Sequence, residues 1–225
     1  MDDCIIIGGG PAGLTAAIYL ARFHLGIRLF DCGSSRAAQI PCTRNHAGYP
    51  EGISGKELLA RMLAQAEKYG ATREGAEVTG LRLIEGGFGV RVGEREHAAR
   101  TVLLATGVVN NRPDMPPALH AEALARGLLR YCPICDGYEV TDRRIGVIGT
   151  GSHGMAEALF LRGYSADVTL IAPQAHDLSD TEAETLDEAG IARIEGPCGG
   201  YAIEGEAIAL DTAGGRLAFD SIYPA

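Results

Sequence analysis

Two stretches of this chain share one pattern of apolar and polar positions. In the first, a β-branched run at residues 4–7 breaks into glycines, an Ala- and Leu-rich segment follows at 14–23, and a second apolar run ends at Asp31. A strand, a glycine turn, a helix and another strand in this order predict a parallel βαβ unit. The pattern returns later, with strands at 144–148 and 168–171 and a helix at 155–162.

The other apolar runs predict further elements around these two units. Helical periodicity, with apolar residues on one face, covers 55–69, 118–127 and 181–189. Alternating apolar and polar residues predict strands at 77–83, 88–92 and 97–105, and a terminal hairpin formed by 207–210 and 216–219. Residues 33–54 are irregular, and so long a loop is expected to be functional.

Prolines mark a boundary between the two halves. Three of the eight residues at 110–117 are proline, which excludes a helix or an interior strand there. We therefore expect two domains, residues 1–112 and residues 113–225, each close to the usual size of about 100 to 200 residues.

Composition narrows the classes of function. The chain has 225 residues, of which 46% are hydrophobic and 22% charged, and this composition is globular. Its formal net charge of -9 and its pI near 5.1 disfavour nucleic acid or an anionic membrane surface as a partner, because both are negatively charged. No apolar run reaches the ~18 residues that span a bilayer, and no basic leader is present, so a cytoplasmic location is expected.

Six cysteines are present, and two of them form a Cys-x-x-Cys sequence, Cys132 and Cys135. A chain of this length without an export signal is not expected to be a disulfide scaffold. The other four cysteines are therefore expected to be ordinary core or surface thiols; they are Cys4, Cys32, Cys42 and Cys198.

The spacing of Cys132 and Cys135 allows the two sulfurs to form a disulfide. At the start of a helix, the amide dipole favours the thiolate of the exposed member, so that one thiol attacks a substrate disulfide and the other resolves the mixed disulfide. Half of a zinc site and a purely structural pair are the alternatives. Structural zinc is bound by four ligands, and no second Cys-x-x-Cys or close His-Cys grouping follows in this sequence. A redox dithiol without metal is therefore the favoured interpretation.

The turn after the first strand carries glycines at the spacing of a dinucleotide-binding loop. Glycines let the backbone approach a pyrophosphate closely, and the free N–H groups at the helix start bind its phosphates. Asp31, about 20 residues past the first glycine, would accept a hydrogen bond from the adenosine ribose. The candidate residues are Gly8, Gly10, Pro11, Ala12, Gly13 and Asp31.

Together with Ala105-Thr106-Gly107, the first half resembles the FAD domain of the flavoprotein disulfide reductases that bind two dinucleotides. That resemblance implies that Thr106 and Gly107 pass beside the flavin. Residues 45–50, with the sequence Asn-His-Ala-Gly-Tyr-Pro, resemble a loop that low-molecular-weight thioredoxin reductases carry near the flavin ring. This resemblance implies that His46 or Asn45 faces the ring, the alternative being a solvated loop histidine.

Residues 131–137, with the sequence Tyr-Cys-Pro-Ile-Cys-Asp-Gly, resemble the active-site motif of low-molecular-weight thioredoxin reductases, and the resemblance covers essentially the whole chain. It implies that Cys135 lies over the flavin, that Cys132 is the interchange thiol that meets the substrate, and that Asp136 is the general acid and base. Each dithiol exchange must supply or remove a proton, so the chemistry also asks for such a group. The resemblance further implies a homodimer.

A second glycine turn, at residues 149–154, predicts a second pyrophosphate site for NADH or NADPH; its candidate residues are Gly149, Gly151, Ser152, His153 and Gly154. The structural alternative is a retained Rossmann unit that no longer binds nucleotide. NADPH-specific thioredoxin reductases carry a His-Arg-Arg stretch after the following strand, whereas residues 170–177 here contain no arginine. The sequence therefore does not favour NADPH, and NADH, another donor or no pyridine nucleotide stay open.

These features predict an α/β protein of two Rossmann-like, three-layer ββα dinucleotide-binding domains, the first incomplete. Similar proteins continue with a segment that closes the FAD domain, so we expect these 225 residues to bind FAD weakly or not at all. The expected activity is a flavin-dependent disulfide reductase that passes electrons from NADH or NADPH through FAD to Cys132–Cys135 and on to thioredoxin or a similar disulfide. A flavin-dependent dithiol oxidase that uses oxygen and a non-catalytic redox or nucleotide sensor are the alternatives.

Overall fold

A computed structural model describes all 225 residues of the chain. It divides into two compact units, Met1–Val109 (unit 1) and Asn110–Ala225 (unit 2). The sequence prediction put the domain boundary slightly later, after residue 112. None of the helices combines the length and the apolar composition that crossing a membrane requires.

Unit 1 is built on one six-stranded sheet. Its strands are β1 (Asp2–Ile7), β2 (Ile27–Phe30), β3 (Thr72–Glu74), β4 (Gly80–Ile84), β5 (Gly87–Val92) and β6 (Arg95–Leu104), and its helices are α1 (Pro11–Arg22) and α2 (Gly55–Lys68), with a 3-10 helix at Arg36–Gln39. The strand order is β3-β2-β1-β6-β5-β4. The first four of these strands are parallel, and β5 and β4 pair antiparallel with their neighbours.

Strand β1 is the centre of unit 1 because both of its faces are covered. Ile6 packs in one buried cluster with Leu14 of α1 and Ala66 of α2, whereas Ile5 packs in another with Phe30 and Val90. Successive side chains of a strand point to opposite faces. Burial on both faces explains why residues 4–7 of β1 form an unbroken apolar run instead of an alternating one.

Unit 2 contains two sheets. Its strands are β7 (Ile145–Ile148), β8 (Val168–Ile171), β9 (Ala192–Ile194), β10 (Gly199–Glu204), β11 (Ala207–Thr212), β12 (Gly215–Phe219) and β13 (Ser221–Pro224), and its helices are α3 (Pro117–Ala125), α4 (Pro133–Asp136), α5 (Gly151–Arg162) and α6 (Asp180–Glu188), with a 3-10 helix at Gly137–Val140. A parallel sheet has the order β13-β7-β8-β9, and β10-β11-β12 form an antiparallel sheet.

The parallel sheet of unit 2 is the middle of three layers. On one face, Val147 packs in a buried cluster with Leu161 of α5 and Leu186 of α6. On the other face, Ile171 packs in a cluster with Ile208 of the antiparallel sheet. Two sheets and a helical layer confirm the predicted α/β class with Rossmann-like units.

The structure corrects several predicted elements. Strands β3, β9 and β10 were not predicted, since β3 and β9 have only three residues each and contain too little apolar sequence to show a period. Strand β4 begins at Gly80, later than the predicted start at residue 77. The hairpin of β11 and β12 is not terminal, because β13 follows it and pairs with β7. The sequence indicated a strand over residues 217–224, whereas the structure divides this stretch between β12 and β13; proline is tolerated in β13 because it is an edge strand.

The contrast between a buried and an exposed leucine tests the core of unit 1. Leu29 on β2 is 1% exposed and Leu83 on β4 is 77% exposed. We expect Leu29→Ala to lower the free energy of unfolding by about 2–5 kcal/mol, because the removed side chain leaves a cavity. Leu83→Ala is the matched control and should change it by no more than about 0.5 kcal/mol. Urea denaturation of both variants measures the difference, and equal effects would contradict the fold described above.

Candidate functional site

The first glycine turn brings α1 into close contact with β1. Gly8 has a φ of +113°, which L side chains rarely adopt, and a Cβ there would overlap the carbonyl oxygen of Ala105. A Cβ at Gly13, inside the first turn of α1, would overlap the carbonyl oxygen of Gly8. Both positions therefore require glycine, and the strand, the turn and the helix pack as one unit.

The start of α1 is suited to an anion. Gly10 is its N-cap and provides no side-chain cap, Pro11 occupies the first turn, and no acidic residue is present there. The first N–H groups of a helix lack partners inside the helix, and the helix dipole adds positive charge at this end. Ala12 is exposed at the same end. A pyrophosphate group fits this cradle.

Asp31 follows β2 and lies against the turn, since a Cβ at Gly9 would overlap its side chain. It accepts hydrogen bonds from the Gly33 N–H at 3.0 Å and from Arg73 Nη2 at 2.9 Å. Burial raises the pKa of Asp31, but the Gly33 N–H and the Arg73 guanidinium outweigh burial and hold the pKa below its ordinary value. The carboxylate is thus an ionised acceptor beside the turn, as a ribose hydroxyl requires.

Thr106 and Gly107 follow β6 and stand at the same edge of the sheet. The Ala105 N–H donates to the carbonyl oxygen of Ile7 at 2.8 Å, which joins this segment to the end of β1. Both Thr106 and Gly107 are exposed, and Gly107 has a φ of +69°. The two predicted residues therefore lie beside the first glycine turn.

His46 belongs to the irregular loop, and its contacts are local. Its Nδ1 lies 3.1 Å from the carbonyl oxygen of Ala47, and its ring lies 5.5 Å from that of Tyr49. Asn45 accepts a hydrogen bond from Thr43 at 2.6 Å. His46 is exposed, and its place beside a flavin ring stays a prediction.

Cys132 and Cys135 form a disulfide with their Cα atoms 5.2 Å apart. Cys132 is the N-cap of α4, and the N–H groups of Cys135 and Asp136 donate to its carbonyl oxygen at 2.8 and 3.1 Å. Cys135 is exposed and Cys132 is half-buried. The other four cysteines are free thiols.

Asp136 is held from two sides by residues that the sequence did not single out. Arg130 Nη1 donates to Asp136 Oδ2 at 2.9 Å, and the Tyr223 hydroxyl donates to Asp136 Oδ1 at 2.9 Å. Tyr223 lies 87 positions further along the chain, so no local motif could have identified it.

A histidine and a tyrosine form a second pair next to the disulfide in sequence. His120 Nε2 and the Tyr131 hydroxyl are 2.7 Å apart, and His120 is 7% exposed. Burial, together with the charge of Arg112, lowers the pKa of His120. The His120 ring is therefore buried, and its neutral form is favoured. It contacts Tyr131, the residue before Cys132, and no sequence pattern predicted this pair.

The second glycine turn resembles the first in construction. A Cβ at Gly154 would lie 2.9 Å from the carbonyl carbon of Gly149, so α5 packs closely on β7. Helix α5 begins at Gly151, earlier than the predicted residue 155, because its first turn is polar and glycine-rich and hid the helical period. Ser152 and His153 are exposed in this first turn. Like α1, the helix has no side-chain cap and no acidic residue at its start.

The loop after β8 rests on this second turn. The Asp177 N–H donates to Thr150 Oγ1 at 2.5 Å, and the His176 N–H donates to Glu195 Oε2 at 3.2 Å. Both contacts place the loop at the carboxyl edge of the parallel sheet, where a Rossmann unit holds the adenosine ribose.

A groove of about 650 Å³ beside this loop carries more negative than positive charge. Its acidic residues are Asp180, Asp187 and Glu195, and its one arginine is Arg193. Arg193 Nη2 donates to both carboxylate oxygens of Asp187, at 2.8 and 2.9 Å. The guanidinium is therefore already paired, and the groove offers no free arginine to a 2′-phosphate; its other basic group is His176, whose ring nitrogens have no hydrogen-bond partner.

Residues 2–195 match the family model of the pyridine nucleotide-disulphide oxidoreductases. The chain belongs to this family. It is 39% identical over 173 residues to a thioredoxin reductase from Mycolicibacterium smegmatis, covering 76% of this chain and 55% of that protein. It therefore spans about half the length of the curated relative it matches.

Solved structures give the same result. A crystal structure of HlmI is 30% identical, with a TM-score of 0.83, and the alignment covers 99% of this chain and 71% of that one. Thioredoxin reductase from Streptococcus pyogenes MGAS5005 is 25% identical, with a TM-score of 0.86, over 100% of this chain and 76% of that one. These similarities confirm the family resemblance that the sequence motifs indicated.

In this pyridine nucleotide-disulphide oxidoreductase, each unit carries one glycine turn at a helix start, and unit 2 also carries the disulfide. The residues that the sequence missed reach these sites from distant positions: Arg73 contacts Asp31 from 42 positions away. A charged residue on a short strand gives no sign of the partner it will meet, so Arg73 could not be assigned in advance.

The pair of Asp31 and Arg73 predicts a pH-dependent stability. The pKa of Asp31 is lower in the fold than its ordinary value of 3.8, so the pair stabilises the fold above that value, and the stabilisation is lost as the pH falls through the lower, folded pKa. Arg73→Met should therefore lower the melting temperature at pH 7, and this loss should shrink towards pH 3. Thermal unfolding at both pH values measures it. In an Asp31→Asn background the effect of Arg73→Met should not depend on pH, and a pH-independent effect in the wild-type background would contradict the assignment.

Proposed function

We propose that this chain belongs to a flavin-dependent disulfide reductase. Electrons pass from a pyridine nucleotide through FAD to the Cys132–Cys135 disulfide and on to thioredoxin or a similar disulfide substrate. The observation that carries the proposal is a closed Cys-x-x-Cys disulfide in a chain with two glycine turns of the same construction. The relatives that are named thioredoxin reductases support it.

Unit 1 fits FAD. The N–H groups at the start of α1 would hold the pyrophosphate, Asp31 would accept from the ribose, and Thr106 and Gly107 would lie along the cofactor. When bound, FAD would supply the electron pair that opens the disulfide. His46 belongs to the proposal as a residue facing the flavin ring.

The chain's own residues would then carry out the exchange. The Cys132 thiolate attacks the substrate disulfide, so that one S–S bond forms and one breaks, and the substrate leaves as a thiolate that takes up a proton. The Cys135 thiolate next attacks the Cys132 sulfur, restores the internal disulfide and releases the second substrate thiol. Asp136 is the proposed group that accepts and returns the protons. We also propose that the protein is cytoplasmic and forms a homodimer.

Replacing single cysteines tests the dithiol role. Cys132→Ser in the full-length, FAD-loaded protein should abolish reduction of a disulfide substrate while the pyridine nucleotide still bleaches the flavin, because only the interchange thiol is lost. Cys198→Ser is the matched control, since Cys198 is a half-buried free thiol of the same unit. Stopped-flow absorbance of the flavin and steady-state substrate reduction measure the two steps. Full turnover by the Cys132→Ser variant would refute the proposal.

We further propose that NADH, and not NADPH, is the electron donor. The groove beside the loop after β8 contains three carboxylates, and its arginine is already paired. A 2′-phosphate carries nearly two negative charges and needs a cation there. The Arabidopsis thaliana relative is, by its name, NADPH-dependent, so a difference between the two proteins is expected.

NADH should bleach the flavin of the full-length protein faster than NADPH by on the order of tenfold, because a 2′-phosphate placed beside the carboxylates without a paired donor costs about 1–3 kcal/mol. Glu195→Arg should narrow this ratio, because it converts a repulsive group into a phosphate ligand. Glu206→Arg adds the same charge on an exposed hairpin turn and serves as the control. Equal or faster reduction by NADPH in the wild type would contradict the donor assignment, and bleaching by dithiols alone would favour a dithiol oxidase.

A further inference from the structure

The Asp136 carboxylate has both oxygens occupied by hydrogen-bond donors inside unit 2. Arg130 Nη1 lies 2.9 Å from Oδ2, and the Tyr223 hydroxyl lies 2.9 Å from Oδ1. The side chains of Arg130 and Asp136 are 19% and 28% exposed. Asp136 is adjacent to Cys135 in the chain, so these two donors act on the carboxylate nearest in sequence to the disulfide.

The two donors are held in place without help from Asp136. The Arg130 N–H donates to the Ile222 carbonyl oxygen at 2.9 Å, which ties the segment before the disulfide to β13. Arg130 Nε donates to the Gly127 carbonyl oxygen at 3.0 Å and fixes the guanidinium. Tyr223 is fully buried on β13. We define the clamp as Arg130 and Tyr223. Its two residues are therefore held in place by contacts that do not involve Asp136.

Both members of the clamp carry a proton that they donate to Asp136 at neutral pH. An arginine guanidinium has no acceptor and stays charged in proteins. Burial raises the pKa of Tyr223 well above its ordinary value, and the negative charge of Asp136 raises it further, so the phenol keeps its proton. Glu139 is the other acidic group whose charge acts on Tyr223. The guanidinium can only donate, whereas the Tyr223 hydroxyl can also accept, so the clamp can hold both oxygens of Asp136 before and after the carboxylate takes up a proton.

We infer that Arg130 and Tyr223 are positioning residues for dithiol exchange, which hold Asp136 as an oriented carboxylate that accepts the proton of the attacking thiol. This inference rests on the proposed function. As the thiol sulfur attacks the substrate disulfide, its proton passes to Asp136, one S–S bond forms and one breaks, and the proton returns to the released substrate thiolate. While Asp136 is protonated, the Tyr223 hydroxyl can turn and accept its hydrogen bond, and the return of the proton restores the original contact.

The test measures the exchange step without turnover of the flavin. The full-length protein is reduced with dithiothreitol, desalted and mixed with a small aromatic disulfide; alkylation and mass spectrometry then follow Cys132 and Cys135. We expect Arg130→Met, Tyr223→Phe and Asp136→Asn each to slow oxidation of the dithiol by about 10-fold to 100-fold, because a misplaced reacting group loses rate on this scale. Arg130→Lys keeps the charge and should recover part of the rate.

A double-mutant cycle separates positioning from a general structural role. If Arg130 acts through Asp136, then Arg130→Met in the Asp136→Asn background should cause no further loss of rate. Equal losses in both backgrounds, or a wild-type rate in Arg130→Met, would overturn the inference. Because Tyr223 is fully buried, its variant is interpreted only together with Arg130→Met, and thermal unfolding of each protein checks the fold.

Two matched controls use residues of the same unit that do not touch Asp136. Arg126→Met removes an arginine that pairs with Glu122 and Glu206, and Tyr201→Phe removes a hydroxyl that contacts Cys198. Both should leave the exchange rate unchanged. If Cys132→Ser abolishes turnover while the clamp variants react like the wild type, the inference fails and the proposed function stands. If Cys132→Ser keeps full turnover, the proposed function itself fails.

Discussion

The structure depends on one close contact that it uses twice: the first turn of a helix touches the end of the strand before it. In unit 1 a Cβ at Gly13 would overlap Gly8, and in unit 2 a Cβ at Gly154 would press on Gly149. A methyl group at either place would push the helix away from the sheet. Because only hydrogen fits, the uncapped N–H groups of each helix are held at the carboxyl edge of a parallel sheet, which is where a pyrophosphate binds.

The disulfide needs a different kind of support. Helix α4 has four residues, and so short a helix cannot stabilise itself in water. Packing holds it instead: a Cβ at Gly137 would lie 2.7 Å from the Tyr164 ring, and Asp136 is bonded to Arg130 and Tyr223. The segment that carries Cys135 is thus held by Tyr164, Arg130 and the buried Tyr223, while Cys135 itself stays exposed.

Three carboxylates of this chain lie in different environments, which differ in the hydrogen-bond donors and charges around each carboxylate. Asp31 lies beside a glycine turn and has one arginine partner, which helps to hold its pKa below the ordinary value. Asp136 has a donor on each oxygen and is suited to a fixed role next to the dithiol. Glu195 lies in a groove whose arginine is already paired, so it adds to the excess of negative charge there. Residue type alone does not distinguish these environments.

The sequence by itself determined the two βαβ units, both glycine turns and the Cys-x-x-Cys pair, because each depends on residues a few positions apart whose geometry is set locally. The tertiary structure alone decided that β13 returns beside β7, that the short strands β3 and β9 extend the sheets, and that Arg73 and Tyr223 reach Asp31 and Asp136. These contacts join residues 42 and 87 positions apart. Contacts between such distant residues depend on how whole sheets pack, and no local sequence pattern predicts them.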